Sequence, residues 1–200
     1  MILLSALLAG TLVSLALSAR SKQTWQAPPL QAPWVAILAF LPQMILFYLP
    51  ATRRLLPDPW VAAGLVISQA LLLAFCWHNR RLPAFWILAA GLVLNLAVIL
   101  ANGGFMPISP ETAGRLLPQE SLQALSLGER FGGGKDILLL EESTRLALLS
   151  DRLLPPGWFP YQVAFSPGDV VVAVGAFLLM ALQGRRSPGI RFTHYEEKPC

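Results

Sequence analysis

Charged residues are scarce in this sequence: they make up 13% of its 200 residues, whereas soluble domains carry about 25%. Hydrophobic residues make up 55%, so water is not the main solvent of the chain. This composition excludes an ordinary soluble domain. The formal net charge of +4 indicates loops that face anionic lipid rather than a nucleic-acid partner.

Cysteine and histidine are also rare, with two residues of each type. Cys76 lies in an apolar run and Cys200 ends the chain, so the pair cannot form a disulfide framework or a zinc site. His78 and His194 have no second ligand at a suitable spacing, and we expect no metal or other cofactor. Since no Ser/His/Asp order and no HExxH motif is present, the sequence gives no support for catalysis.

Five apolar runs predict an all-α fold, a polytopic membrane bundle of about five transmembrane helices. A spanning helix needs about 20 mostly apolar residues, and none of these runs contains Lys, Arg or Glu in its interior. The runs are 2–19, 34–49, 60–77, 84–101 and 170–182. We therefore divide the chain into a four-helix part (1–101), an external segment (102–165), a fifth helix (166–183) and a cytoplasmic tail (184–200).

Two of the helix starts carry capping residues. Asp58 and Pro59 have the types expected at an N-cap and at the first helical position. Ser166 and Asp169 stand three residues apart, the spacing of a capping box in which each side chain binds the backbone N–H of the other.

Positive residues predict the orientation. Arg20 and Lys22 directly follow the first run and no positive residue precedes it, which favours an uncleaved helix with its N-terminus outside over a cleaved signal peptide ending near Ser18. The cytoplasmic side would then also hold the C-terminal tail. Arg53 and Arg54, in a short external loop, do not fit this rule.

Small residues repeat every fourth position along the first run: Ala6, Gly10, Ser14 and Ser18. Such a face allows two helix backbones to approach closely. It predicts packing against another helix, either of this chain, which we favour, or of a membrane protein partner.

Three amides lie inside the predicted spans: Gln43, Gln69 and Asn95. They need hydrogen-bond partners because lipid offers none, so they should face inward. We favour a role as interhelical contacts, and the alternative is the lining of a path for a polar solute. Pro42 beside Gln43 predicts a kink in the second span.

The external segment contains one stretch with helical amphipathicity, residues 137–154, in which Glu141 and Arg145 form an i, i+4 pair. We expect an amphipathic helix that covers the outer mouth of the bundle; a lid or partner-binding helix is the alternative. The glycines before Lys135 suggest a phosphate-binding loop, but Asp136 stands where that motif needs Ser or Thr, so a flexible turn is the better interpretation.

Polar and turn-forming residues cluster at the ends of the fourth and fifth spans. Asn102 or Gly103 can take the left-handed conformation that ends a helix, and Ser109 can cap a new one. If Asp169 lies near Asn102, a polar site forms at the membrane boundary. Its candidate residues are Asn102, Gly103, Gly104, Met106, Pro107, Ser166 and Asp169.

Two short motifs in this region, Asn-Gly-Gly-x-Met-Pro at 102–107 and Phe-Ser-Pro-Gly-Asp-Val at 165–170, resemble a family of bacterial integral membrane proteins of unknown function (domain of unknown function 5317). The likeness covers nearly the whole chain. It implies a small helical bundle in the bacterial inner membrane and brings no known activity or catalytic residue.

The sequence leaves three function classes open. We prefer a non-enzymatic accessory or scaffold subunit, which meets a membrane protein partner through the external segment or the small-residue face. A small transporter or carrier for a polar solute is the alternative. A membrane enzyme that acts on lipid is third, and the lipid bilayer is the one partner common to all three.

Overall fold

The chain is described by a computed structural model that covers residues 2–21, 26–49, 56–118, 120, 125–131, 134–159 and 161–183. Several residues used in the sequence interpretation lie outside this part. They are Lys22, Arg53, Arg54, His194, Cys200 and the predicted tail 184–200.

The described chain is mostly helical, as predicted. Three helices are long and apolar enough to cross a membrane: α1 (Ile2–Ser21), α3 (Asp58–His78) and α4 (Ala84–Ala101). Two apolar helices are shorter: α2 (Pro33–Gln43) and α6 (Pro167–Gln183). At about 1.5 Å per residue the three long helices match the thickness of a bilayer core, and this is compatible with a membrane protein.

The helices pack in the spatial order α1, α6, α4, α3, α2, each against the next. The small-residue face of α1 lies on α6: a Cβ at Gly10 would stand 2.6 Å from the carbonyl oxygen of Phe177. Ser14 and Ser18 are buried, and Ala6 is half-buried. Of the two interpretations of this face, packing within the chain is therefore the one observed.

Helix α2 changes its winding directly after Pro42. It continues from Gln43 into a π-helical turn, Met44–Tyr48. Proline lacks the N–H of a regular helix and its ring crowds the preceding turn, so the ladder of hydrogen bonds is locally rearranged.

Capping was predicted at three helix starts. It is observed at Ser109 and at the Ser166–Asp169 pair, and it is not observed at Asp58. The Ser109 hydroxyl accepts the Thr112 N–H at 3.2 Å and caps α5 (Pro110–Gly114). Asp58 does not cap α3; its carboxylate instead accepts from Arg130 Nε at 2.8 Å. A negative side chain in the first helical turn remains favourable because of the helix dipole.

The predicted amphipathic helix at 137–154 is wrong. Strand β2 (Asp136–Leu138) pairs in parallel with β1 (Met106–Ile108), and two 3₁₀ turns follow, Glu141–Ser143 and Ala147–Leu149. Leu146 between the turns has a φ of +56°, a conformation that ends a right-handed helix. The all-α prediction thus omits one two-stranded sheet.

The segment between α4 and α6 packs into the helices rather than beside them. Met106 is buried against Leu65 of α3 and against Val98 and Ile99 of α4. Leu149, from the second 3₁₀ turn, packs against the same cluster. The sheet therefore fills space between the ends of α3 and α4 and brings its flanking residues close to the helical core.

Candidate functional site

A cavity of about 630 Å³ lies between the helices and the segment that contains the sheet. Its walls include all three amides singled out in the sequence, Gln43 on α2, Gln69 on α3 and Asn95 on α4. The α6 residue Asp169 and the two residues Lys135 and Asp136 also line it. The amides face inward, and they share one space.

Gln43 acts as a contact between helices. Its Nε2 donates to the Ser68 hydroxyl at 2.7 Å, and that hydroxyl donates to the carbonyl oxygen of Ala39. This chain of bonds ties α2 to α3. Gln69 differs, because its Oε1 atom is buried and has no hydrogen-bond partner among the described residues.

Asn95 binds the start of α6. Its Nδ2 donates to Asp169 Oδ1 at 2.7 Å, and its Oδ1 accepts from the Ser166 hydroxyl at 2.8 Å. The predicted capping box is confirmed: the Asp169 N–H donates to Ser166 Oγ at 2.9 Å, and the Ser166 N–H donates to Asp169 Oδ2 at 3.2 Å. The amide of α4 thus extends the capping box into a buried network of three side chains.

This network lies beside the middle of α4, not at its end. The carbonyl oxygen of Gly168 is so close to Gly91 that a Cβ at Gly91 would stand 2.7 Å from it. Asn102 is two helical turns beyond Asn95, about 10 Å along the axis of α4. The start of α6 therefore reaches the level of Asn95.

The predicted boundary site is consequently divided into two parts. The Asn102 side chain donates to Val98 and Arg145 carbonyl oxygens, both at 2.9 Å, and accepts from the Arg145 N–H at 3.0 Å. These bonds engage the amide with backbone, so Asn102 does not pair with Asp169. Asp169 lines the cavity instead, and Ser166 is hydrogen-bonded to Asp169.

The other part of the predicted set turns the chain. Gly103 and Gly104 have φ values of +75° and +92°, and the Gly104 N–H donates to the Ile99 carbonyl at 2.8 Å, which closes α4. Of the two residues considered for this role, Gly103 takes the left-handed conformation and Asn102 does not. Met106 and Pro107 follow in β1 and are buried.

Sequence reasoning missed a charged cluster that borders the cavity. Lys135 Nζ lies 2.9 Å from Asp136 Oδ1 and also donates to Asp151 Oδ2. Asp151 is fully buried, and its N–H donates to the Pro107 carbonyl oxygen. Lys135 and Asp151 are 16 residues apart in the sequence, and no spacing rule predicts that the pairing of β1 with β2 brings them together. In the sequence, the adjacent charged residues Lys135 and Asp136 were the only sign of this cluster.

The charges in this cluster do not balance. A single ammonium, that of Lys135, interacts with the three carboxylates of Asp136, Asp151 and Asp169. Burial alone would lower the pKa of Lys135, but the three carboxylates outweigh it and raise that pKa above its usual range. Burial, opposed by Lys135 and helped by the other two carboxylates, raises the pKa of Asp151 to about 8.

This shift predicts a pH dependence of stability. Because the pKa of Asp151 is higher in the folded protein than its ordinary value of 3.8, ionisation opposes folding, and stability falls as pH rises from about 4 through about 8. We expect Asp151→Asn to flatten this part of the stability profile, measured by thermal unfolding in mild detergent from pH 5 to 9. Asparagine can still accept the Lys135 hydrogen bond. Parallel profiles for the two proteins would contradict the assignment.

Comparisons with known proteins agree with the resemblance seen in the two motifs. The model of a family of unknown function, DUF5317, matches residues 28–181. A protein of Thermotoga maritima, described as "Uncharacterized protein", is 32% identical over 144 residues, which cover 71% of this chain and 76% of that protein. No solved structure is significantly similar to the chain. The matched residues span α2 to α6 with the charged cluster, and the chain belongs to the family of unknown function DUF5317.

Proposed function

We propose that this chain is an inner membrane carrier that binds a small polar solute in the cavity between its helices. The proposal takes α2 and α6 as spans in addition to the three long helices. Both are apolar and both pack in the same series as the long helices. Arg20 at the end of α1 and Arg80 after α3 favour an orientation with the N-terminus outside, since positive residues concentrate on the cytoplasmic side.

The observation that carries the proposal is the polar lining of the cavity. Buried polar atoms need partners, and an amide oxygen without one is costly in an apolar surrounding. Gln69 Oε1 is such an atom, and it borders a space of about 630 Å³, well within the range of pockets that hold small molecules. A solute or water in the cavity would supply the missing hydrogen bond.

This lining also changes our preference among function classes. An accessory subunit needs a surface for its partner, and the small-residue face of α1 is taken by α6. The three amides singled out in the sequence, Gln43, Gln69 and Asn95, line the cavity. We therefore place the carrier ahead of the scaffold.

A cysteine placed at Gln69 tests the carrier directly. In a protein with Cys76 and Cys200 replaced by Ser, we expect Gln69→Cys to react with a membrane-impermeant thiol reagent in right-side-out and in inverted vesicles. Reaction from both sides is expected because a carrier exposes its binding site to each side in turn. The reaction is measured by the mass of the labelled protein.

The matched control is Ile67→Cys in the same background. Ile67 lies two residues away on α3, and its side chain is 53% exposed on the outer surface of the bundle, where lipid would exclude the reagent. Labelling of Gln69→Cys from one side only would contradict the carrier but would still allow a solute-binding site in the cavity. If Gln69→Cys does not react from either side, both the carrier and the binding site are wrong.

A further inference from the structure

The cavity is lined by both charged and apolar side chains. Lys135, Asp136 and Asp169 are the charged ones, and Leu65, Leu72 and Leu92 are among the apolar ones. A ligand that fits both kinds of lining has a charged group and a carbon skeleton. The sign of its charge follows from the partners of these three ionisable groups and of Asp151, which is bonded to Lys135.

The one cation in the cluster is already engaged. Lys135 is held by Asp136 and by Asp151, which is fully buried behind it. An anionic ligand would have to displace Asp136 or Asp151 from Lys135, or lie beside Asp136 and Asp169. Like charges repel more strongly where protein replaces bulk water, so the cluster does not favour an anion.

The carboxylates are less well satisfied. Asp169 accepts from the Asn95 amide and from the Ser166 N–H, and neither donor carries a charge. Asp151 Oδ1 is buried and has no hydrogen-bond partner among the described residues. The charged residues that line the cavity are thus one ammonium, Lys135, and two carboxylates, Asp136 and Asp169, so the lining carries more negative than positive charge.

A metal ion does not fit this deficit. In the described ranges no three Asp, Glu, His or Cys side chains are grouped closely enough to hold one. The polar groups that line the cavity include hydrogen-bond acceptors of the kind an ammonium group uses: the carboxylates of Asp136 and Asp169, whose oxygens can each accept more than one hydrogen bond, and the unpartnered amide oxygen of Gln69.

From this arrangement we infer that the ligand is an organic ammonium ion with an apolar portion, its charged group between Asp136, Asp169 and Gln69 and its carbon skeleton against the leucine walls. The inference rests on the proposed function and specifies the chemical class of its solute. An ammonium group there donates to Gln69 Oε1, which has no partner among the described residues, and to the Asp136 and Asp169 carboxylates, and it offsets the excess of negative charge.

Hexylammonium and hexanoate form a matched pair of probes with six carbon atoms each and opposite charge at pH 7. We expect isothermal titration of the full chain in nanodiscs of zwitterionic lipid to give saturable binding of hexylammonium and none of hexanoate, with empty nanodiscs as the baseline. Asp136→Asn should weaken hexylammonium binding at least tenfold. Glu111→Gln is the control, because Glu111 is an exposed carboxylate that pairs with Arg115 outside the cavity.

Gln69→Leu provides a second variant should Asp136→Asn fold poorly, and we expect the same loss of affinity. The inference is overturned if hexanoate binds as well as hexylammonium, if hexylammonium does not saturate, or if neither substitution weakens its binding. Hexanoate binding together with labelling of Gln69→Cys from both sides would reject the cationic ligand and keep the carrier. An unreactive Gln69→Cys would reject the carrier itself.

Discussion

Replacing Lys135 by Met is expected to lower the free energy of unfolding by roughly 3 kcal/mol, the lower end of the range for breaking a buried ion pair. The substitution leaves the Asp136 and Asp169 carboxylates without this cation and removes the Lys135 hydrogen bond to the fully buried Asp151, whose raised pKa keeps it largely protonated at neutral pH. The lower end of the range applies because 39% of the Lys135 side chain remains accessible, and it borders the cavity. The measurement is equilibrium unfolding in mixed micelles.

Two further variants define what Lys135 contributes. Lys135→Arg keeps the charge and should retain most of the stability. Arg115→Met removes a cation from an exposed pair, in which the Arg115 and Glu111 side chains are 66% and 80% exposed, and we expect a change of no more than about 0.5 kcal/mol. If Lys135→Met unfolds at the same denaturant concentration as the unsubstituted protein, the cluster does not hold the segment to the helices.

The second large effect is expected at the crossing of α4 and α6. A Cβ added at Gly91 would stand 2.7 Å from both the Gly168 carbonyl oxygen and the Val172 nitrogen. Because these are backbone atoms, α6 must move away. We expect Gly91→Ala to destabilise the protein by about 1–3 kcal/mol, although alanine by itself favours a helix over glycine by about 1 kcal/mol.

Gly157→Ala is the matched control, since no atom lies within 4 Å of the added Cβ. We expect its effect to stay within about 0.5 kcal/mol. Displacement of α6 should also separate Asn95 from Ser166 and Asp169. A Gly91→Ala protein with unchanged stability and unchanged hexylammonium affinity would show that this contact does not position the cavity wall.

Local rules account for the predictions that succeeded. The capping box of Ser166 and Asp169 and the cap at Ser109 each involve residues three apart. The turn at Gly103 requires a conformation that glycine adopts easily. Such features depend on neighbouring residues, and the sequence contains all the information they need.

The predictions that failed depended on competition between local and distant contacts. The amphipathic pattern at 137–154 is real, but β1 offers the Asp136–Leu138 backbone a set of hydrogen bonds that a helix would have to replace. The Asn102 side chain binds the backbone of Arg145, 43 residues away. Asp58 pairs with Arg130 instead of capping α3. In each case a partner distant in sequence replaced the local one.

By itself the sequence determined the membrane-compatible character of the long helices, most of the helix boundaries and the inward-facing position of the amides. An apolar solvent offers no hydrogen bonds, so each segment must satisfy its own backbone as a helix and turn its amides inward. Only the tertiary structure decided which polar groups meet. Asp169 lies against Asn95 rather than Asn102 because α6 begins beside the middle of α4. The parallel pairing of β1 with β2, between residues about 30 apart, brings Lys135 to Asp151 and to the cavity. No periodic pattern in the sequence predicts that these two segments pair with each other.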